Sequence, residues 1–566
     1  MEKFKDIEYK RPDINELKKQ CRLYIKKLRS AKSAEEADAA FLAMNGSQKH
    51  FFSMVSIAHI RNTMNMKDEF YDAEKKFFDV NLPKLMPLVK KLNKTLAESP
   101  YRKDLEKTYG DHYFKSLENS IRLMKLSIIK PSVEESLLGT EYSKVAAAAS
   151  TEFNGKQCNF YGLLKEMQSD DIETRRAALK AWADLYESIS GKLDEIYGKL
   201  IKKRVTIAKR LGFKSYIDYA YLARERFDYG PEDVAAFREA VRKYITPLCD
   251  KFYREQAGRL GLEKLNWCDE AVIFPDGNAI PQGTPEELTD KALEMYRHMS
   301  PETGEFFSFM REYELYDFVT RENKHMGGYC TMIHEFKAPF IFSNFNGTAA
   351  DVDVLTHEAG HAFEYYYSSR RLPIDDICTG TSEINEIHSM TMEHFAYPYM
   401  ESFFGDKADK YRFGHFCEAV KTIPYLVSVD EFQHRVYGNP GSTPAMWRQY
   451  WKEIEQKYMP WRHYDGIEFL ENGGFWMQKQ HIFLYPFYYV DYALAQMGAL
   501  YLYKLNEETG EGFRRYIELC GLGGKYGYFE TLDKAGIPRP LLEDTVKAVA
   551  EFAEAQAELL KGKVKA

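Results

Sequence analysis

The segment His357-Glu358-Ala359-Gly360-His361 contains side chains whose types and spacing could bind a metal ion and transfer a proton. Residues four apart project from one face of an α-helix, so His357 and His361 can place two imidazole nitrogens on one ion at about 2.0–2.1 Å. Glu358 lies about 100° further around the helix, where its carboxylate can reach a metal-bound water without binding the ion. The pattern predicts a zinc hydrolase in which Glu358 is the general base.

A catalytic zinc ion needs a third protein ligand and one open position. The segment TSEINEIHSMTMEHFAYPYM, residues 381–400, starts with residues that favour a helix N-terminus and is predicted to form the next helix. Its candidate ligands are Glu383, Glu386, His388, Glu393 and His394. Spacing alone does not choose among them. Glu386 and Glu393 are seven residues apart and share a helix face, so one could bind the metal while the other supports it.

Two more carboxylates, Asp353 and Glu364, lie on the polar stripe of the predicted motif helix. A carboxylate in such a place either orients a ligand histidine or is an ordinary solvated charge. Both interpretations stay open for each residue. Asp353 and Glu393 are the candidates for supporting the metal ligands.

The elements that must hold these residues are mainly helices. Residues 171–208 carry apolar side chains at three- and four-residue intervals, as one long amphipathic helix would, and residues 540–566 are typical of a final helix. Asn154-Gly155 predicts a short hairpin. β-favouring residues fill the segment that starts at Gly327-Gly328 and ends at Asn346-Gly347, directly before the metal motif.

These patterns predict a mostly α fold with one small β-sheet near the active site. A chain of 566 residues is long enough for two or more cores. We expect an N-terminal helical lobe at residues 1–195 and a catalytic region at residues 196–566.

The composition excludes several classes of protein. The formal charge of −7 and the lack of a Lys/Arg-rich tract argue against nucleic-acid binding. No window holds the roughly 18 to 20 consecutive apolar residues of a membrane span, and the charged N-terminal segment does not resemble a signal peptide. The eight cysteines are scattered without a paired framework, so we expect reduced thiols in a cytoplasmic protein.

A cluster of polar aromatic residues near the C-terminus could stabilise negative charge in a transition state. His481, Tyr485, Tyr489 and Tyr492 are candidate donors to the oxyanion that forms when a peptide carbonyl is attacked. On a continuous helix Tyr485, Tyr489 and Tyr492 would share one face, whereas Tyr488 would lie off it. The alternative is that these tyrosines simply pack in the core.

The segment FIFSNFN before the motif helix offers a candidate substrate site. An exposed strand edge at Phe342, Ser343 and Asn344 could pair with an extended peptide. Gly327 and Gly328, at the start of the same β-favouring segment, are further candidates for substrate binding. The equal alternative is an ordinary buried strand.

The chain resembles the thimet oligopeptidase family of zinc peptidases, and within it the oligoendopeptidase F (Pz-peptidase-like) branch. That branch has HExGH followed by a ligating Glu 25 residues after the second His, which is Glu386 here. Two more segments are similar to the family's, PFIFSNFNGTAADVDVLTHEAGHAFE and HIFLYPFYYVDYALA.

The resemblance implies a helical, two-lobed fold with a deep central channel and one zinc ion on its floor. It also implies an endopeptidase that acts on oligopeptides. Two other functions stay open: a zinc carboxypeptidase or dipeptidase on a similar helical fold, and a zinc-containing peptide-binding protein without turnover. The expected partners are oligopeptides, with neither nucleic acid nor membrane, and the oligomeric state is not predicted.

Overall fold

The structure, a computed structural model, describes residues 1–564 as a mostly helical chain with two small sheets. Clustering of contacts divides the chain into two compact units, each built from three segments of sequence. The first unit comprises Met1–Met124, Ala279–Ala408 and Gly498–Arg539. The second comprises Lys125–Asn278, Asp409–Met497 and the segment that begins at Pro540. No helix within residues 1–564 is both long enough and apolar enough to cross a bilayer.

The first unit carries the metal motif on one of its helices. Its α-helices are Ile14–Ser30, Ala34–Met64, Glu69–Asn81, Met86–Ala97, Arg102–Tyr109, Asp111–Leu123, Pro285–Met299, Pro301–Glu312, Ala350–Ser369, Ser382–Phe395, Glu401–Phe404, the end of Tyr489–Thr509, Gly512–Leu522 and Tyr528–Ala535.

The second unit carries the C-terminal tyrosines. Its α-helices are Ile129–Ala148, Phe160–Glu166, Ile172–Leu211, Tyr216–Ala223, Pro231–Ala240, Thr246–Arg259, Ala408–Lys421, Ile423–Gly438, Pro444–Tyr458, Glu468–Glu471, Gln480–Leu484, the start of Tyr489–Thr509 and Glu543–Lys563.

Short helical turns connect many of these helices. They are Phe4–Asp6, Leu82–Leu85, Leu126–Ile128, the π-turn Val241–Ile245, Trp267–Asp269, His334–Phe336, Asp375–Ile377, Tyr397–Tyr399, Gly405–Lys407 and Gly474–Gln478.

The predicted long helix is confirmed as Ile172–Leu211. The side chain of Asp171 accepts a hydrogen bond from the amide of Thr174 and thereby caps its first turn. Gly212 ends the helix in the left-handed conformation, at φ 92°. The expected division of the chain at residue 195 falls inside this helix and stays a prediction.

The predicted final helix is confirmed as Glu543–Lys563. The last two positions of the predicted range 540–566 lie outside the described residues.

The predicted hairpin at Asn154-Gly155 is also confirmed. Strands β1 (Thr151–Phe153) and β2 (Lys156–Cys158) pair antiparallel. Both turn residues have positive φ, 48° for Asn154 and 72° for Gly155, as a tight two-residue hairpin requires.

The second sheet has three strands in the order β3-β5-β4, with β3 (Tyr316–Val319), β4 (Tyr329–Ile333) and β5 (Ala338–Phe345). β5 is parallel to β3 and antiparallel to β4. The sequence predicted β4 and β5 but missed β3, because a four-residue strand carries too little alternation to stand out.

The close packing of two helices explains a glycine within the metal motif. The motif helix (Ala350–Ser369) packs against the glutamate helix (Ser382–Phe395), and Gly360 lies at their contact. A Cβ at Gly360 would lie 2.6 Å from Cα of Ser389 and 2.7 Å from the carbonyl oxygen of His388. No side chain fits at such distances, so Gly360 is required for the two helices to approach.

Candidate active site

The loop between β5 and the motif helix fixes where the motif begins. The buried carboxylate of Asp351 accepts hydrogen bonds from the amides of Asn346 at 2.9 Å and Gly347 at 2.7 Å. Gly347 has φ 85°, which turns the chain from the strand into the helix. These bonds satisfy the backbone of the turn and tie the central strand to the first turn of the motif helix.

Three side chains of the first unit converge as a set of metal donors. Oε2 of Glu386 lies 3.6 Å from Nε2 of His357 and 3.7 Å from Nε2 of His361. Two ligands of a tetrahedral zinc ion with bonds of about 2.0–2.1 Å are about 3.3–3.4 Å apart. The observed separations differ from this by a few tenths of an ångström, and two imidazoles with one carboxylate are ligands that zinc prefers. The donor set fits zinc.

Neighbouring groups orient each of the three donors. Oε1 of Glu393 lies 2.6 Å from Nδ1 of His357. The hydroxyl of Ser389 lies 3.0 Å from the carbonyl oxygen of Glu386 and 3.3 Å from its Oε2, so it can donate to either. A hydrogen bond with the backbone of Asn385 holds His361. The sequence identified Glu393 as a possible support but missed Ser389 and Asn385. The spacing of Ser389, three residues after Glu386 on a helix, is the signal that could have revealed it.

The environment shifts the protonation of the motif residues. Burial raises the pKa of Glu358 to about 6 and lowers the pKa of His361 to about 4. Burial also opposes a charge on His357, but hydrogen bonds with Glu386 and Glu393 outweigh it and raise the pKa of His357. Glu358 therefore has a pKa close to neutrality, which suits a group that accepts and returns a proton.

The other candidate ligands do not join this donor set. Within residues 1–564 the set consists of His357, His361 and Glu386, and Glu383 is buried outside it. Asp353 lies one turn before His357 on the motif helix and is half-buried, so its supporting role stays a prediction.

The two later histidines of the glutamate helix pack elsewhere. His388 is fully buried, and its carbonyl oxygen accepts a hydrogen bond from the hydroxyl of Tyr516 at 3.1 Å. Nδ1 of His394 lies 3.1 Å from the hydroxyl of Tyr397, and its ring stacks on Tyr503. The ring of His388 also meets that of Tyr516 edge to face, with centroids 6.2 Å apart, so both histidine side chains pack against tyrosines.

Of the two alternatives left open for Phe342, Ser343 and Asn344, the structure supports the buried strand rather than the exposed edge. All three belong to β5, the central strand, which pairs with β3 on one side and, as far as Phe342, with β4 on the other. The edge strands are β3 and β4, and β4 starts beside Gly328. A Cβ at Gly328 would lie 3.8 Å from Oε1 of Glu358, so the bare backbone of this residue passes close to the predicted base.

In the second unit, four tyrosine rings surround His481. Ring centroids lie 5.6 Å from His481 for Tyr485, 6.2 Å for Tyr488, 4.7 Å for Tyr489 and 6.3 Å for Tyr492. These five residues are called the histidine–tyrosine cluster below. The cluster includes Tyr488, which a continuous helix would have placed off the shared face.

The helical argument for Tyr485 is wrong for a reason that lies in the backbone. Tyr485 follows the short helix Gln480–Leu484, and a new helix starts at Tyr489. Between them Phe487 has φ 62°, which no α-helix allows. Tyr485 and Tyr489 therefore do not share a helix face, and they meet because the chain turns around His481.

Buried polar side chains hold this turn. A guanidinium nitrogen of Arg226 donates to the carbonyl oxygen of Phe487 and to the carboxylate of Asp491. The side-chain oxygen of Gln433 accepts a hydrogen bond from the amide of Phe487 at 2.9 Å. Both backbone groups of the strained residue are thus paired, which compensates for its positive φ.

Most of the chain matches the models of one family of peptidases. Residues 4–124 match the model of the peptidase M3 N-terminal domain, and residues 166–271 and 302–551 match the model of peptidase family M3.

Solved structures share the whole fold. Pz peptidase A with an inhibitor superposes at a TM-score of 0.92 with 40% identity, covering 99% of this chain and 100% of that chain. A Bacillus anthracis protein described as an oligoendopeptidase F superposes at 0.87 with 38% identity, covering 100% of this chain and 99% of that chain. The mostly α fold predicted from the sequence is confirmed.

Curated relatives match over shorter stretches. An oligoendopeptidase F homologue of Lactococcus lactis subsp. lactis is 23% identical over 391 residues, which are 66% of this chain and 61% of that protein. An oligoendopeptidase F homologue of Mycoplasma pneumoniae is 26% identical over 214 residues, or 36% and 33% of the two proteins. The chain thus spans less than two thirds of the length of these relatives.

Proposed function

The chain belongs to peptidase family M3, and from this premise we propose that it is a zinc-dependent endopeptidase that hydrolyses internal peptide bonds of oligopeptides. The observation that carries the proposal is the convergence of Nε2 of His357, Nε2 of His361 and Oε2 of Glu386. Three protein donors leave a fourth tetrahedral position open, which distinguishes a catalytic zinc site from a structural one.

A zinc ion held by these ligands would lower the pKa of bound water to about 7 and polarise the scissile carbonyl. Glu358 takes the proton from the attacking water and returns it to the leaving amine nitrogen. Its pKa of about 6 allows both steps near neutral pH. Glu393 accepts the Nδ1 proton of His357, which leaves Nε2 as the ligand atom.

In this proposal the histidine–tyrosine cluster supplies hydrogen-bond donors to the transition state. Hydroxyl groups of Tyr485, Tyr489 and Tyr492, together with His481, are the candidate donors to the developing oxyanion. Such donors accelerate a reaction because they interact more strongly as negative charge develops.

We also propose that the edge of β4 binds the peptide backbone. The amide of Ile341 on β5 donates to the carbonyl oxygen of Leu315 at 3.0 Å and so points away from β4. Because backbone groups alternate in direction along a strand, the residues on either side of Ile341 point theirs towards β4. Cys330 and Met332 of β4 lie opposite Ile341 and Pro339, the β5 residues that do not bond to β4. The amides and carbonyls of Cys330 and Met332 therefore face outward, away from β5. A peptide that adds a strand here would be held by its backbone, and many sequences would be accepted.

A peptide with both ends blocked and a single internal cleavage site tests the proposal. We expect the zinc-loaded protein to cleave it and a chelator to abolish the cleavage. Cleavage of unblocked peptides alone would indicate the carboxypeptidase or dipeptidase alternative. Binding without cleavage would indicate a peptide-binding protein. The cytoplasmic location expected from the scattered cysteines stays a prediction.

A further inference from the structure

An unpaired lysine lies beside the histidine–tyrosine cluster. Lys479 precedes the short helix Gln480–Leu484 and is half-buried. Across the residues that the structure describes, no carboxylate oxygen lies within 4 Å of its Nζ and no hydrogen bond reaches it. Its ammonium group instead lies 5.1 Å from the ring centroid of Tyr489 and 5.4 Å from that of Tyr425. Burial between the rings lowers the pKa of Lys479 to about 8.

This arrangement is costly without a ligand. Removing an ammonium from water is unfavourable unless an anion compensates, and contacts with aromatic faces compensate only in part. Two buried cations of this unit are paired, Arg226 with Asp491 and Arg238 with Asp430. A methionine would fill the same space at Lys479 without the loss of hydration. The charge is therefore explained best by an anion that comes from outside the chain.

The two rings that flank Lys479 carry hydroxyl groups. Tyr425 accepts a hydrogen bond from the side-chain amide of Gln478, which leaves its own O–H proton available to an acceptor. Within residues 1–564, the hydroxyl of Tyr489 has no hydrogen-bond partner. The rings of Tyr425 and Tyr489 meet edge to face with centroids 6.0 Å apart. An ammonium beside a tyrosine whose O–H proton is available, with no protein acceptor, suits a carboxylate.

We propose that Lys479, with the hydroxyl of Tyr425, binds a carboxylate group of the peptide substrate. The inference rests on the proposed peptidase function, because Tyr489 also packs on His481, with ring centroids 4.7 Å apart. The carboxylate is either the C-terminal group of the peptide or an acidic side chain. Lys479 is thus a specificity-determining residue that favours peptides with a negative charge at one defined position.

The test uses the zinc-loaded protein and a series of peptides with one sequence. The parent peptide has no acidic side chain and an amidated C-terminus. One derivative has a free C-terminal carboxylate, and two others carry a single Glu in place of Gln, one on each side of the cleaved bond. The KM and kcat of each peptide are measured with the natural chain, Lys479→Met, Lys479→Arg and Lys452→Met. Lys452 is an exposed lysine of the same unit and controls for the lost charge.

We expect one carboxylate-bearing peptide to have a KM about tenfold or more below that of the parent, because charge-assisted hydrogen bonds are strong. Lys479→Met should raise the KM of that peptide until its difference from the parent disappears, because the variant has no cation to bind the carboxylate. Lys479→Arg should keep part of the difference in KM between the two peptides, and Lys452→Met should keep all of it. The derivative that benefits identifies the source of the carboxylate.

A binding measurement separates failure of this inference from failure of the proposed function. Zinc-loaded Glu358→Gln, with and without Lys479→Met, is titrated with the labelled parent and its derivatives. A preference for a carboxylate that depends on Lys479 supports the inference even if the natural chain cleaves nothing. Equal affinity for all peptides, or a preference that survives Lys479→Met, overturns it. A lower melting temperature for Lys479→Met with unchanged peptide preference would assign Lys479 to packing and also overturn it.

Discussion

Nδ1 of His357 lies 2.6 Å from Oε1 of Glu393, while Nε2 of the same ring faces Glu386 at 3.6 Å. One imidazole thus stands between two carboxylates seven residues apart on the glutamate helix. In the proposed zinc site Glu393 would accept the Nδ1 proton, which would leave the lone pair of Nε2 for the metal. The two glutamates therefore have different tasks, and substitution separates them.

Glu386→Ala should remove a ligand and lose most of the zinc affinity, whereas Glu393→Ala should weaken zinc binding by about 10–100-fold through loss of the orienting bond. Glu383→Ala, also a buried glutamate of the same helix, is the matched control and should leave affinity unchanged. Competition with a chromophoric chelator measures all three. Retained affinity in Glu386→Ala together with loss in Glu383→Ala would show that the third ligand is misassigned.

Glu358→Gln should keep its zinc and lose several orders of magnitude in turnover. The amide preserves the shape of the side chain and the three ligands remain, but it accepts no proton. Metal analysis and the hydrolysis of a quenched peptide are compared on the same preparation. Turnover within tenfold of the natural chain would exclude Glu358 as the base.

Gly360→Ala should destabilise the first unit strongly, because its Cβ would lie 2.6 Å from Cα of Ser389. Overpacking of this kind costs about 1–3 kcal/mol or more, and zinc affinity should fall as the helices separate. Gly191→Ala is the control. Gly191 also lies within a helix, but a Cβ added there would meet no neighbouring atom within 4 Å, so Ala should raise stability by up to about 1 kcal/mol. Thermal unfolding of both variants measures the difference.

Tyr492→Phe or Tyr485→Phe should lower turnover by roughly 10²–10³ at unchanged zinc content and melting temperature, if the hydroxyl donates to the oxyanion. Tyr501→Phe, later on the helix that carries Tyr492, is the control and should be neutral. Tyr488→Phe joins the series because its ring is parallel to that of His481, at 11°. Near-normal turnover in both of the first two variants would assign the cluster to packing.

Stability should depend on Glu455 between pH 4.5 and 7. Burial raises the pKa of Glu455 to about 7, even though Trp451 and Tyr464 donate hydrogen bonds to it. The folded state therefore holds a proton that the unfolded state loses near pH 4.3. This contribution is fully present below the unfolded pKa and is lost as the pH rises through 7.

Glu455→Gln should remove that dependence. The difference in the free energy of unfolding between variant and natural chain, measured in urea, should move in favour of the variant as the pH rises from 5 to 7.5. A difference that stays constant over this range would contradict the raised pKa.

The sequence predicted those parts of the fold and site that depend on local spacing. The long helix, the Asn154-Gly155 hairpin and the motif helix follow from periodicity and turn residues within about 40 positions of sequence. Glu386 was one of five candidates by spacing, and the family resemblance singled it out. The structure places its carboxylate beside both motif histidines.

The failures concern properties that local spacing does not encode. The segment of Phe342 reads the same in a central or an edge strand, because strand order depends on β3, a distant partner. The shared face of Tyr485, Tyr489 and Tyr492 was predicted for a continuous helix. Pro486 makes a break possible, but local spacing does not show that Phe487 adopts a positive φ. That conformation depends on Gln433 and Arg226, which are remote in sequence.

The interleaving of the two units has a consequence for biosynthesis. The first unit uses residues up to Arg539, and the second uses residues on both sides of that point. On a ribosome that adds about 5–20 residues per second, the first 124 residues wait on the order of 20–80 seconds for their last partner segment. The helix Ala34–Met64 packs on its neighbours in the first 124 residues and, later in synthesis, on β4. A ribosome stalled before residue 498 therefore holds two unfinished units, although the N-terminal helices already have partners.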